Sequence, residues 1–315
     1  MRLLDADATA AALPWGDLVD ALERTIADAA AGRVQSPERW VLPVAPGTTW
    51  FLMPAWLAPD AGDLAAIKLI THAAGNPAHG LPAILGDVLV IRASTGERLA
   101  LLDGPTVTAR RTAAVSLLAA QRLAPTAAGP LLIVGTGVQA RAHAQAYAAV
   151  LGVAEILVRG RTPARSADFA AALRAEGLPA RPGDDLAAAL RYCPLVVTAT
   201  PAREACLSGS VRDDAFVAAV GAFTPTMIEL DPALTRDIAR RGRVVLDSAA
   251  ARREAGDVII AGLAPDSLPT LVDRPQRCAG GPVLFKSCGS ALWDLAAARC
   301  VAERLLGDAA RTTGA

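Results

Sequence analysis

The sequence predicts an α/β protein of two domains, one built on a doubly wound parallel sheet and one of α+β type with a mostly antiparallel sheet. Three observations lead there. At 315 residues the chain exceeds one average domain. From Leu131 onward, short apolar runs alternate with helical stretches, the pattern of parallel strands joined by crossover helices. Before that point the apolar runs follow one another directly, punctuated by proline and glycine, as antiparallel strands do.

The first element is a helix. Pro14 suits its first turn, Leu18, Leu22, Ile26 and Ala29 recur at helical spacing, and Gly32 can close it. Strand-like runs follow at 40–42, 50–53 and 65–70. The run 86–91 turns at Ser94-Thr95-Gly96 into 98–102, a hairpin signal. From Gly104-Pro105 a long helix with a small-residue face carries Arg110 and Arg111 to Leu123. Pro125 and Gly129-Pro130 then break the chain, and the domain boundary is expected there. Residues 1–124 form the first domain, joined by a C-terminal helix over 291–315, and residues 125–290 form the second. Its strands are expected at 131–134, 155–158, 195–198, 216–220 and 244–246, with 284–289 as a loop before the last helix.

Composition narrows the function. Hydrophobic residues make up 53% and charged residues 20%, which excludes a disordered, collagen-like or disulfide-rich chain. Basic and acidic residues number 31 each and no basic tract occurs, so neither nucleic acid nor an anionic membrane is an expected partner. No run approaches the ~18 uninterrupted apolar residues of a spanning helix. Asp5 and Asp7 stand where a signal peptide would need its apolar run, so the cytoplasm is expected. Cys193, Cys206, Cys278, Cys288 and Cys300 form no C-x-x-C pair and read as reduced thiols; with only three histidines besides, no metal is expected.

The strand 131–134 runs into Gly135-Thr136-Gly137-Val138-Gln139-Ala140, a G-x-G-x-x-A turn opening a helix. The first glycine permits the turn, the second lets backbone amides approach a pyrophosphate, and the small Ala140 lets the helix pack on the sheet. The phosphates would rest on the helix N-terminus. This predicts a Rossmann-type domain in which Gly135, Gly137, Val138 and Gln139 contact a dinucleotide. An NAD site usually has an acid about 20 residues after the glycines, and here the chain reads Val158-Arg159-Gly160-Arg161-Thr162. Arg159, Arg161 and Thr162 suit a 2′-phosphate instead, so NADPH is expected, with NADH possible as well. Thr200 and Ser287 complete the expected cofactor contacts.

All but two of the 31 basic residues are arginine, so Lys68 and Lys286 flag positions needing a compact ammonium. Lys68 interrupts an apolar strand, where an inward charge needs an anion. Arg39 lies in another element of that domain, and Arg111 on the helix leading toward the second. A substrate carboxylate would satisfy Lys68 and Arg111, and so would an acid of the chain itself.

Several motifs in register carry a family resemblance. They are Phe51-Leu52-Met53-Pro54-Ala55, Gly75-Asn76-Pro77 with Gly80-Leu81-Pro82, Leu102-Asp103-Gly104, Thr108-Ala109-Arg110-Arg111-Thr112, the glycine loop, Glu229-Leu230-Asp231, and Lys286-Ser287-Cys288-Gly289. With these the chain resembles the ornithine cyclodeaminase and mu-crystallin family over nearly its whole length. The resemblance implies a homodimer formed through the first domain's sheet, a nucleotide-binding domain, and a substrate carboxylate held by Arg39, Lys68 and Arg111, which would form the catalytic set.

The family includes cyclodeaminases with tightly held NAD, NAD(P)H-dependent reducers of imino acids, keto-acid amination enzymes and hormone-binding crystallins. Deaminases commonly carry threonine where Ala83 stands and an aspartate where Phe223 stands. The imine reducers often have Pro-Asp where this chain has Pro225-Thr226. Without the deaminase acid, the resemblance implies reduction of cyclic imino acids: Δ1-piperideine-2-carboxylate to pipecolate and Δ1-pyrroline-2-carboxylate to proline. Ornithine cyclodeamination, keto-acid amination and ligand binding without turnover are the alternatives. Trp56 and Phe223 are candidates to line the ring pocket.

Overall fold

The computed structural model describes Met1–Thr312 apart from Ala202, Cys278 and Ala279, with side chains of the last helix described as far as Leu305. The chain divides into two units, Met1–Arg111 with Ser290–Ala315, and Thr112–Gly289. The boundary therefore falls inside the long helix and not at residue 124. Proline and glycine mark where the helix ends, but its alanine-rich second half, with Ala113, Ala114, Leu117, Ala119 and Ala120 all buried, already belongs to the second unit.

The first unit opens with β1 (Arg2–Leu4), α1 (Ala6–Ala11) and α2 (Trp15–Ala30), and α2 buries Leu18, Leu22 and Ile26 as its spacing predicts. Then come β2 (Val34–Gln35), β3 (Trp40–Ala45), β4 (Thr48–Leu57), β5 (Ala65–Ala73), β6 (Ile84–Ile91), β7 (Arg98–Asp103) and α3 (Gly104–Leu123). Their sheet runs β1-β7-β6-β5-β4-β2, with β3 also on β4; β1 and β7 are parallel and the other pairs antiparallel.

Strand β4 continues past Met53, where the sequence suggests an end, because Pro54 costs it nothing. β3 pairs as far as Leu52 and β2 from Trp56, so the missing N–H falls where β4 has no second neighbour. Met53, Lys68, Val88 and Leu102 lie in one register row and are all buried. The last helix of the chain, Ala291–Thr312, packs over β4, β5 and β6.

The second unit contains β8 (Leu131–Val134), α4 (Val138–Leu151), β9 (Ile156–Arg159), α5 (Pro163–Ala175), β10 (Ala180–Pro182), α6 (Leu186–Tyr192), β11 (Leu195–Thr198), β12 (Phe216–Ala219), α7 (Pro232–Arg241), β13 (Arg243–Leu246), α8 (Ala251–Glu254), α9 (Gly256–Ile260) and β14 (Val283–Lys286). The closing helix of the first unit is α10. The sheet is parallel throughout, in the order β10-β9-β8-β11-β12-β14-β13. Every residue of β8, β11, β12 and β14 is buried, which explains their unbroken apolar runs.

One element corrects the sequence reading. The stretch 284–289 begins as a strand: β14 lies inside the sheet between β12 and β13. Gly280-Gly281-Pro282 before it and the terminal lysine read as loop signals around a run of only three apolar residues, and pairing on both sides decides for a strand. Among the described residues no helix is long and apolar enough to cross a membrane. Cys193, Cys206, Cys288 and Cys300 are free thiols, and Cys278 lies outside the described residues.

Candidate active site

Strand alternation turns Lys68 toward α10, on the buried face of the first sheet. The residue is 2% exposed. Its ammonium meets Asp294 in the first turn of α10, with Nζ 2.7 Å from Oδ2 and 2.9 Å from Oδ1. Arg111, 6% exposed, donates through Nε to Oδ1 of the same carboxylate at 3.2 Å. Its neighbour Arg110 takes the other face of α3, stacked 3.9 Å from the Trp15 ring and donating to Leu13 O.

Thus the chain supplies an internal acid to both cations, one of the two outcomes the sequence leaves open. It does not balance them. Burial pulls the Lys68 ammonium from 10.5 down to about 8; Asp294 opposes that, and the charges of Arg111 and Arg39 add to it. Arg39, half-buried beside β3, is therefore within electrostatic reach of Lys68. Lys68 and Arg111 thus meet on one carboxylate, so two buried cations share a single acid, and Arg39 acts on Lys68 through its charge.

The glycine loop sits at the C-terminal end of β8, beside the point where strand order reverses between β8 and β11. Gly135 has φ +132°, and a Cβ there would lie 2.5 Å from Ala199 O. Gly137, extended at φ −98° and ψ −170°, is the N-cap of α4 without any side-chain capping bond, and an added Cβ would meet open space. Ala140 is wholly buried, and Val138 is exposed. An uncapped helix end with open space over a glycine fits a dinucleotide pyrophosphate.

At the end of β9 the expected 2′-phosphate set separates. Arg159 donates to Asp184 O. Thr162 caps α5, accepting from Arg165 N at 3.3 Å. Arg161 is exposed and makes no ion pair among the described residues, and Arg165 joins it in that condition. Thr200 follows β11 and donates through both N and Oγ1 to Glu229. Ser287 is 2% exposed and donates to Asp247 Oδ2 at 2.8 Å, so its hydroxyl hydrogen is held within the fold. Trp56 and Phe223 are both exposed, at 38% and 44%.

Sequence reasoning missed Asp294, although a signal exists: it is the single charge in Ala-Leu-Trp-Asp-Leu-Ala-Ala-Ala. It also quoted Glu229 only as part of a motif and passed over Asp257 entirely.

The model of the ornithine cyclodeaminase/mu-crystallin family matches residues 3–309. Delta(1)-pyrroline-2-carboxylate reductase 1 of Burkholderia multivorans is 42% identical over 308 residues, covering 96% of each chain. The Delta(1)-pyrroline-2-carboxylate/Delta(1)-piperideine-2-carboxylate reductase of Azospirillum brasilense is 42% identical over 317 residues, covering 99% of this chain and 97% of that one. Among solved structures, Thermococcus litoralis Delta(1)-pyrroline-2-carboxylate reductase in complex with NADH and L-proline matches with a TM-score of 0.85 at 25% identity, covering 98% of both chains. The family match spans nearly the whole chain and the fold agrees, so the chain belongs to the ornithine cyclodeaminase/mu-crystallin family.

Proposed function

We propose that the protein is an NAD(P)H-dependent reductase of cyclic ketimine carboxylates, acting on Δ1-pyrroline-2-carboxylate and Δ1-piperideine-2-carboxylate. The observation that carries this reading is the buried cluster of Lys68 and Arg111 on Asp294, with Arg39 in electrostatic reach. Two buried cations against one buried acid favour a small carboxylate as the further anion. The Burkholderia multivorans relative is named for the first of these substrates and the Azospirillum brasilense relative for both.

When bound, the reduced nicotinamide supplies a hydride to the C=N carbon. The chain's own residues do the rest. Lys68 and Arg111, with Arg39, hold the carboxylate attached to that carbon and so fix the ring, a positioning effect worth up to roughly 7–11 kcal/mol. Asp294 orients the Lys68 ammonium, which keeps its proton at neutral pH. That ammonium, or a water held by it, manages the proton on the imine nitrogen.

Gly135, Gly137, Val138 and Gln139 receive the pyrophosphate. Arg161 and Thr162, joined by Arg165, take the 2′-phosphate, which makes NADPH the preferred cofactor over NADH. Arg159 contributes its remaining guanidinium donors.

The first sheet exposes Trp40, Val41, Leu42 and Val44 of β3 together with Trp50, Ile84 and Leu85, an apolar area suited to a second copy of the chain. A homodimer follows, checked by sedimentation equilibrium. The free thiols and the reduced cofactor suit the cytoplasm.

The test follows reduced-nicotinamide absorbance with Δ1-piperideine-2-carboxylate, with pyruvate alone and with pyruvate plus ammonium. Consumption with the cyclic imino acid alone is expected. Consumption that requires free ammonium would make the protein a keto-acid amination enzyme, and none with any substrate would make it a binding protein.

A further inference from the structure

The second lysine has a role that the carboxylate site does not use. Lys286, at the end of β14, is wholly buried, with Nζ 2.9 Å from Asp257 Oδ2 and 3.9 Å from Glu229 Oε2. Asp257 also accepts from the backbone N–H groups of Glu229 and Leu230, at 2.7 and 2.8 Å. The Glu229 backbone and side chain are thus both held.

Besides Lys286, the Glu229 carboxylate accepts from donors of two loops at the C-terminal rim of the parallel sheet. Oε1 accepts from Thr200 N at 2.8 Å and Thr200 Oγ1 at 3.2 Å, just past β11. Oε2 accepts from Gly221 N at 2.6 Å and Ala222 N at 3.2 Å, just past β12. The two loops meet closely: a Cβ on Gly221 would lie 2.1 Å from Thr200 O and 2.5 Å from Glu229 Oε1. These four donors suit an ionised carboxylate. Gly135 leaves β8 at this same rim, which is where ligands of parallel α/β sheets bind.

We infer that Glu229, locked by Lys286 and Asp257, is a positioning residue for the dinucleotide, setting the loops after β11 and β12 to the shape that receives it. The inference rests on the nicotinamide-cofactor reading. Burial pushes the Glu229 carboxyl up from its ordinary range; Lys286 and the backbone donors pull it back, and Asp257 adds to the rise. The other titratable groups in reach are two thiols, Cys206 beside Glu229 and Cys288 beside Lys286. Burial pushes Cys206 up to about 11, and it stays neutral at ordinary pH.

Binding of NADPH to the full-length protein, read from nicotinamide fluorescence, tests this. Glu229→Gln should weaken binding about tenfold at every pH from 7 to 9, with the KM for the imino acid changed less than twofold. Lys286→Met should leave Glu229 to take up a proton, so its Kd should rise as pH falls from 9 to 7 while the wild type stays level. Amide exchange at Gly221 and Ala222 should quicken in both variants without cofactor. If Lys286→Met fails to fold, Glu229→Gln and the charge-retaining Glu229→Asp decide, the latter retaining more affinity than the former. Wild-type binding matched by Glu229→Gln would overturn the inference alone. A wild type that binds no dinucleotide would overturn the cofactor reading and this inference with it.

Discussion

Replacing Lys68 with methionine keeps the side chain long and removes its charge, and the effect is readable on carboxylate binding. The wild-type ammonium sits at about 8, pulled down by burial and by Arg111 and Arg39 against Asp294. Above that pH an incoming carboxylate must first restore the proton, so its Kd should rise about tenfold per pH unit. The variant should lose one hydrogen bond to a charged group, about 1.5–3 kcal/mol, equivalent to a Kd higher by roughly 10- to 150-fold at neutral pH. Its Kd should then be level through the range in which the wild type weakens.

Pyrrole-2-carboxylate is a suitable probe for calorimetric titration: it is flat, carries the acid group and has no imine nitrogen to protonate, so any slope belongs to the protein. Stability supplies a second reading with its own sign. A folded pKa below the unfolded one means that the protonated lysine destabilises the fold. The displacement from 10.5 to about 8 corresponds to about 3 kcal/mol, felt in full below pH 8 and lost as pH rises to 10.5. Over that window the wild type should therefore gain stability relative to Lys68→Met in urea unfolding. A wild-type Kd that stays level through pH 8 and beyond, or a variant that keeps the wild-type slope, would remove Lys68 from the carboxylate site.

Arg111→Ala should raise the KM for the imino acid at least about tenfold, since a hydrogen bond to a charged group is lost, while the Lys68–Asp294 pair remains; unchanged kinetics would mean that Arg111 serves Asp294 only. Arg161→Ala should shift preference from NADPH toward NADH by about tenfold in the ratio of kcat/KM values, and an unaltered ratio would show that the arginine merely faces solvent. Gly135→Ala places a methyl 2.5 Å from Ala199 O at a φ of +132°, so a loss of more than about 1–3 kcal/mol is expected by urea unfolding; wild-type stability would show that the turn relaxes freely.

What could be read from the sequence was whatever is locally anomalous. The glycine loop stands out because its turn, helix start and flanking strand are contiguous, and Lys68 because a charge interrupts an apolar strand. Asp294 is likewise a lone charge in an apolar run, but nothing local ties it to Lys68, 226 residues away. The same asymmetry holds in the second unit, where Lys286 was flagged as a scarce lysine while Asp257 went unnoticed. β14 failed for a related reason: its identity lies in β12 and β13 on either side, not in its own four residues.

Both lysines therefore follow one rule. A buried ammonium in a strand recruits its acid from a distant segment, α10 for Lys68 and α9 for Lys286, and only the tertiary fold reveals which. The difference between them is in the balance of charge. Lys286 faces two carboxylates and is held above its ordinary range, as an internal tie should be. Lys68 shares one carboxylate with Arg111 and is pulled below its range, by burial first and then by the charges of Arg111 and Arg39, which that one carboxylate does not offset.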